Sequence, residues 1–157
     1  MIDPGPDPVV YVDANVFIRA VEGTEEVSSP AKTFLAYLRA NKNVALTSEL
    51  TLAEVLAPPS RPDALPLHIK RRVYLDLLSW SSLVSPVPVT RDILIETADL
   101  RAVAGMKLPD AIRLVSAIRG RCCYFVSSDT DFSKLPQGMK LIRPDAVGID
   151  GLLKELA

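Results

Sequence analysis

Apolar and polar positions along the chain switch repeatedly between a short β-branched run and a longer helical repeat. The run at 9–12, Val-Val-Tyr-Val, predicts a strand, and Asp13-Ala14-Asn15 follows it at once. Residues 16–21 then have helical character. A second helix is expected from a Ser28 or Ser29 cap through Ala40, with Pro30 in its first turn and Phe34, Leu35 and Leu38 on one face. The turn Asn41-Lys42-Asn43 leads to a short strand at 44–46. Thr47 or Ser48 caps a helix over 49–57, which Pro58-Pro59 stops. A loop over 60–66 and an amphipathic helix over 67–83 come next. Residues 84–89 contain Pro86 and Pro88, so a strand there belongs at an edge. Thr90 caps a helix over 91–104. Pro109 opens another, which Gly120 ends before an apolar strand at 122–126. A last strand at 139–142 and a terminal helix at 145–157 complete the pattern.

Alternating strands and helices call for a parallel sheet covered on both faces. A chain of 157 residues is of ordinary size for one domain, taken here as 1–157 with a flexible segment at 1–8. No apolar run reaches the ~18 residues that span a bilayer, and the start lacks signal-peptide character. A cytoplasmic protein with no membrane association is expected.

Net charge is −1, which gives no basic excess of the kind that marks many nucleic-acid binders, though a local patch can act within a neutral average. The adjacent Cys122 and Cys123 point to opposite faces of a strand, so they have neither bridging geometry nor metal-site spacing. His68 is the sole histidine and lies in a polar, exposed-looking helix start. Chemistry that needs two imidazoles, or a Ser-His-Asp triad, is therefore poorly supported.

Four acidic residues each follow a strand or sit in the helix after one: Asp13, Glu54, Asp110 and Asp129. Singly, each has an ordinary structural use as a helix cap, dipole partner, surface residue or turn residue. Asp110 differs in its surroundings. Three of its neighbours three to eight residues on, Leu114, Ala117 and Ile118, are apolar, and the fourth is Arg113. A carboxylate beside a buried stripe must be paired or bind a cation.

A parallel sheet brings the carboxyl ends of its strands to one rim. Four carboxylates there repel one another unless counterions are supplied. Hard cations such as Mg²⁺ or Mn²⁺ fit an all-oxygen donor set and suit phosphate substrates. Asn15 can support Asp13 by donating its amide protons. Arg19, Arg101, Lys107 and Arg113 stand near the rim, either as partners of phosphate groups or as solvated charges.

At these residues the sequence resembles the PIN-domain ribonucleases, especially the VapC-type toxins of toxin–antitoxin pairs. Residues 10–18, Val-Tyr-Val-Asp-Ala-Asn-Val-Phe-Ile, are similar to the family's opening motif. Residues 47–55, containing Glu54, are similar to its second motif, and Leu108-Pro109-Asp110-Ala111 to its third. Ser127-Ser128-Asp129-Thr130-Asp131-Phe132 is similar to the usual Thr-Asn-Asp-x-x-Phe. Two departures stand out: Arg113 lies where the family often has histidine, and Ser128 where asparagine is usual.

The resemblance implies an α/β/α sandwich with a five-stranded parallel sheet. It implies Mg²⁺- or Mn²⁺-dependent cleavage of RNA by Asp13, Glu54, Asp110 and Asp129. Asn15, Ser127 and Asp131 would support them, and Asp131 competes with Asp129 as the fourth acid. Homodimers and an inhibiting antitoxin protein are implied as well. A catalytically silent PIN-like module that binds RNA or protein is the alternative. A phosphoacceptor built on Asp13 would want a further acidic pair beside the first strand and a lysine at a later strand end, and neither is apparent.

Overall fold

Val10–Val12 forms β1, and all three residues are fully buried. Val10 and Val12 join one core cluster and Tyr11 another, so the strand is covered on both faces. The computed structural model describes residues 9–58, 64–132 and 135–157, with only the backbone of Asp131 included. The segment 1–8 and most of the loop expected over 60–66 lie outside the described residues.

On one side β1 pairs in parallel with β2 (Ala45–Ser48), which pairs with β3 (Ser85–Val87). On the other it pairs with β4 (Tyr124–Val126), which pairs with β5 (Lys140–Ile142). The five-stranded sheet therefore has the order β3-β2-β1-β4-β5. The chain winds outward in one direction from β1 to β3, then returns to the other side of β1. The gap between β1 and β4 is the switch point of such a sheet, where sites form at the carboxyl ends.

Helices cover both faces, which makes a three-layer α/β/α sandwich. One layer contains α1 (Ala14–Glu22), α2 (Glu25–Ala40), α3 (Leu50–Val55), α4 (Leu67–Leu75) and α7 (Ala146–Leu156). Phe17, Phe34, Leu38, Val55, Tyr74 and Leu152 from these helices bury the face of Val10, Val12 and Val126. The other layer contains α5 (Arg91–Ala104) and α6 (Leu108–Arg119). Leu114 and Ala117 of α6 pack there with Tyr11, Leu46, Phe125 and Phe132. The Tyr11 and Phe125 rings stack with centroids 4.6 Å apart. Helix α5 lies on α6 through Ile93, Ile112 and Val115.

Several boundaries differ from expectation for identifiable reasons. Helix α2 starts at Glu25, not after Ser28 or Ser29, because Thr24 takes the cap position and Glu25 and Glu26 complement the dipole in the first turn. Pro30 consequently sits inside the helix, where it has no N–H to give the Glu26 carbonyl. Strand β2 runs on to Ser48, because Thr47 donates to the Val12 carbonyl at 2.7 Å and ties β2 to β1. Helix α4 ends at Leu75 and widens into a π-helical turn, Asp76–Trp80. β3 is an edge strand, as the prolines require, with Pro86 opposite Thr47. Cys122 is buried and Cys123 exposed, and both are free thiols just ahead of β4.

Gly120 ends α6, as expected, but without a left-handed backbone. Its φ is −75°, and Arg121 is the residue with positive φ, 57°. What Gly120 provides is room: a Cβ there would lie 2.2 Å from Cδ2 of the buried Leu46. Alanine in place of glycine at a compatible φ ordinarily stabilises by about 0.4–1 kcal/mol. Here overpacking should reverse the sign, so Gly120→Ala is expected to destabilise by ~1–3 kcal/mol in chemical denaturation, and trimming Leu46 to alanine in the same chain should recover part of the clash cost. A Gly120→Ala variant at least as stable as the parent would show that Leu46 yields freely.

Candidate active site

Asp13 is pinned where β1 leaves the sheet, because its N–H donates to the Val126 carbonyl of β4 at 3.0 Å. It also caps α1, accepting the Ala14 N–H on Oδ1 at 2.8 Å. The Ser127 hydroxyl donates to its Oδ2 at 2.6 Å and the Asn15 amide at 3.2 Å. Asn15 reaches further, donating to Ser127 Oγ at 3.1 Å and accepting the Ser128 N–H at 3.1 Å. Ser127 Oγ also accepts the Asp129 N–H at 3.0 Å. The ends of β1 and β4 are thus joined by a polar net in which nearly every member is a side chain of a β–α turn.

Glu54 comes from α3, which Ser48 starts by accepting the Leu50 N–H at 3.1 Å. Asp110 comes from the first turn of α6, where Pro109 costs no hydrogen bond and the dipole favours an acid. Asp13 and Asp110 are buried, and Glu54 is half-buried.

Arg113 binds these three carboxylates together. Its Nη1 donates to Asp110 Oδ1 at 2.5 Å, one turn back on the same helix. Its Nε and Nη2 form a fork on Glu54, the Nε contact being 3.1 Å. Nε also lies 3.3 Å from Asp13 Oδ1. The side chain is 10% exposed. Arg113 is therefore no solvated rim charge, as one sequence alternative had it, but the hub of an acidic cluster from three elements. The sequence held a signal for this: Arg113 interrupts a run that is otherwise apolar from Ala111 to Val115, three residues after an acid.

Electrostatics follow from this arrangement. Burial raises the Asp13 carboxyl above the usual range, opposed by Arg113 and by the donors Ser127 and Ala14, while the charge of Asp129 pushes it further up. Glu54 is raised by burial in the same way, again against the hydrogen bonds and charge of Arg113. The surrounding carboxylates outweigh burial at Arg113 and hold it firmly protonated. Removing one partner of such a buried pair typically costs ~3–5 kcal/mol, because the other charge is left uncompensated.

Asp129 stands at the end of β4 next to this cluster, its backbone tied to Ser127 and its charge felt at Asp13. The side chain of Asp131 lies outside the described residues. Of the other basic residues considered, Arg101 donates to the Met106 carbonyl at 3.1 Å and Arg19 lines a different cavity beside Asp145. Lys107 is exposed and, with Asp110, lines a cavity of about 260 Å³ that also borders Ala104, Gly105 and Met106. Sequence reasoning passed over Arg143, which donates to the Ser128 carbonyl at 2.9 Å and brings a cation to the loop carrying Asp129.

The donor chemistry of Asp13, Glu54 and Asp110 fits a hard divalent cation. As the side chains stand, however, the guanidinium of Arg113 lies among them, and no three acidic, histidine or cysteine side chains among the described residues are grouped to hold an ion.

The PIN domain family model matches residues 10–138, and the chain belongs to that family, whose members are generally nucleases. Among solved structures, a toxin–antitoxin complex from Klebsiella pneumoniae is similar at 26% identity and a TM-score of 0.62, covering 86% of this chain and 97% of that one. VapBC2 of Rickettsia felis, bound to a DNA fragment from its promoter, shares the fold at 15% identity and a TM-score of 0.62, covering 86% and 98%. PAE2754 of Pyrobaculum aerophilum also shares it, at 15% identity and a TM-score of 0.63, covering 96% and 90%. No curated protein matches the chain in a sequence search.

Ser127→Ala offers a test of the net around Asp13. It removes a donor to a buried carboxylate oxygen, which should cost ~1–3 kcal/mol of stability in metal-free buffer at neutral pH. The sign with pH is defined. A carboxyl whose folded pKa is raised contributes stability that is present below the unfolded value of ~3.9 and lost as pH rises through the folded value. Losing the Ser127 donor raises the Asp13 carboxyl further, so the deficit of the variant should widen from acid to neutral pH in urea titrations. A deficit that is flat with pH would detach Ser127 from the ionisation of Asp13.

Proposed function

We propose that this protein is a metal-dependent endoribonuclease and the toxin of a toxin–antitoxin pair, with Asp13, Glu54, Asp110 and Asp129 as its acidic site. The observation that carries the proposal is the gathering of Asp13, Glu54 and Asp110 around one cationic group at the sheet's switch point. Carboxylates from three separate elements have no purely structural need to meet, and a site for a cation and a phosphodiester is the economical explanation. Membership of the PIN-domain family and the similarity to toxin–antitoxin complexes support it.

Mg²⁺ or Mn²⁺, when bound, supplies Lewis-acid polarisation of a phosphoryl oxygen and makes water nucleophilic at neutral pH. The chain's own residues set up the rest. Ser127, Asn15 and the Ala14 N–H hold Asp13 in one orientation and keep its oxygens from swinging. Pro109 and the first turn of α6 fix Asp110, and α3 carries Glu54 from the neighbouring strand end. Asp129 enters from the β4 side, and Asp131 is proposed as its support. The cavity beside Asp110, with Lys107 on its wall, gives an RNA strand an approach. A cytoplasmic location would accord with action on RNA; among the described residues no helix is long and apolar enough to cross a membrane.

The family's partners are proposed with its chemistry: a homodimer, and an antitoxin that reaches the acidic cleft. An antitoxin arginine would suit the site, since it can pair bidentately with a carboxylate. One observation favours the second reading, a catalytically silent module that binds RNA or protein: Arg113 already neutralises part of the cluster.

Cleavage of RNA separates the two. Purified protein with Mn²⁺ should cut RNA and leave 5′-phosphate and 3′-hydroxyl ends, as attack by water requires. Asp110→Asn should lose at least ~10²-fold in rate while keeping its circular dichroism, on the scale of removing one preorganised electrostatic group. No cleavage by the parent at high enzyme would leave the silent module, and 2′,3′-cyclic phosphate ends would overturn attack by water.

Expression in a bacterial host tests the toxin assignment. Growth should stop when the protein is induced alone and resume when the small reading frame beside its gene is expressed with it, the two products co-purifying. Normal growth at high expression, with no co-purifying product, would leave a nuclease that is not a toxin.

A further inference from the structure

Arg113 supplies the positive charge that the acidic cluster needs when no ion is present, and it supplies it at the place an ion would take. Its Nε, Nη1 and Nη2 are engaged with Asp13, Asp110 and Glu54. These are oxygens on which the proposed metal site depends. A guanidinium and a divalent cation cannot both lie among them, since each would bring its charge within a few ångströms of the other in a poorly hydrated space. We propose that Arg113 is an internal competitor for the metal: it holds the three carboxylates together in the metal-free protein and must withdraw from them when a divalent cation binds. The proposal rests on the metal site named above and adds to it an exchange between a side chain and an ion.

Three features make the exchange workable. Arg113 lies on α6 only one turn from Asp110, so its flexible stem can swing without moving the helix. The cavity of about 260 Å³ lined by Ala104, Gly105, Met106, Lys107 and Asp110 opens at Asp110, the carboxylate one turn back on the same helix. Asp13 keeps its other donors, Ser127, Asn15 and the Ala14 N–H, and so does not depend on Arg113 for its position. A released guanidinium would stay within reach of the site, where planar two-pronged donation suits a phosphate.

The consequence is that Arg113 weakens the metal site. Isothermal titration of Mn²⁺ into metal-free protein should give tighter binding for Arg113→Gln than for the parent, by roughly 5- to 150-fold, taking the usual size of a coupling free energy as the scale. Arg113→Lys, a compact charge unable to span three carboxylates, should fall between them. Metal-free Arg113→Gln should melt below the parent, and Mn²⁺ should raise its melting temperature by more. Should the variants fold poorly, the parent alone decides: the ¹⁵Nε–¹H resonance of Arg113 should be slowly exchanging in metal-free protein and should shift or broaden as Mg²⁺ saturates. Equal Mn²⁺ affinity in parent and variants, or an Arg113 resonance unmoved at saturating Mg²⁺, overturns the competition and leaves the metal site standing. Binding of Mn²⁺ to none of the three proteins overturns both.

Discussion

Carboxylates drawn into one partly dry place must be neutralised, and much of this molecule's architecture can be read as the means of doing so. The parallel sheet delivers Asp13 at the end of β1, and the β2–α3 and α5–α6 connections deliver Glu54 and Asp110. Burial alone would force protons onto such groups, and the raised Asp13 and Glu54 carboxyls record that pressure. Arg113 opposes it from α6, and Ser127, Asn15 and a helix N–H oppose it at Asp13. A buried ion cluster of this kind adds little net stability over an apolar packing of equal volume, so its presence speaks for function more than for folding.

The alternation of short strands and helices was enough to read the sheet, because all-parallel strands buried on both faces are plain apolar runs. The edge position of β3 was legible from two prolines that a central strand would not accept. Boundaries were less legible where a side chain sets them. Thr47 lengthens β2 through a bond to the Val12 carbonyl, a contact 35 residues away that no local pattern announces. The early start of α2 was hidden by Pro30, which looks like a helix opener and is instead tolerated inside.

The three acids that meet at Arg113 were visible in the sequence as acidic residues at or after strand ends, but not the charge that joins them. Nothing local separates an arginine facing water from one facing three carboxylates, since that depends on α3 and β1 meeting α6 in space. The apolar residues flanking Arg113 were the one available hint. Ser127 was marked as a supporting residue of the fourth motif; its tie to Asp13 spans 114 positions and appears only once β4 lies beside β1.

Asp13 caps a helix and belongs to the acidic cluster with one side chain, while its backbone N–H closes a strand. Enzymes often hold their reactive groups in strained positions that cost stability, so that inactive variants come out sturdier than the parent. Here the same atoms serve folding and the cluster. Mutational surveys that score only loss of activity would confuse two kinds of damage at this position, and cellular abundance would fall together with function. A lineage that gave up catalysis would have little thermodynamic reason to discard Asp13, so a conserved aspartate there is weak testimony that a given relative still cuts.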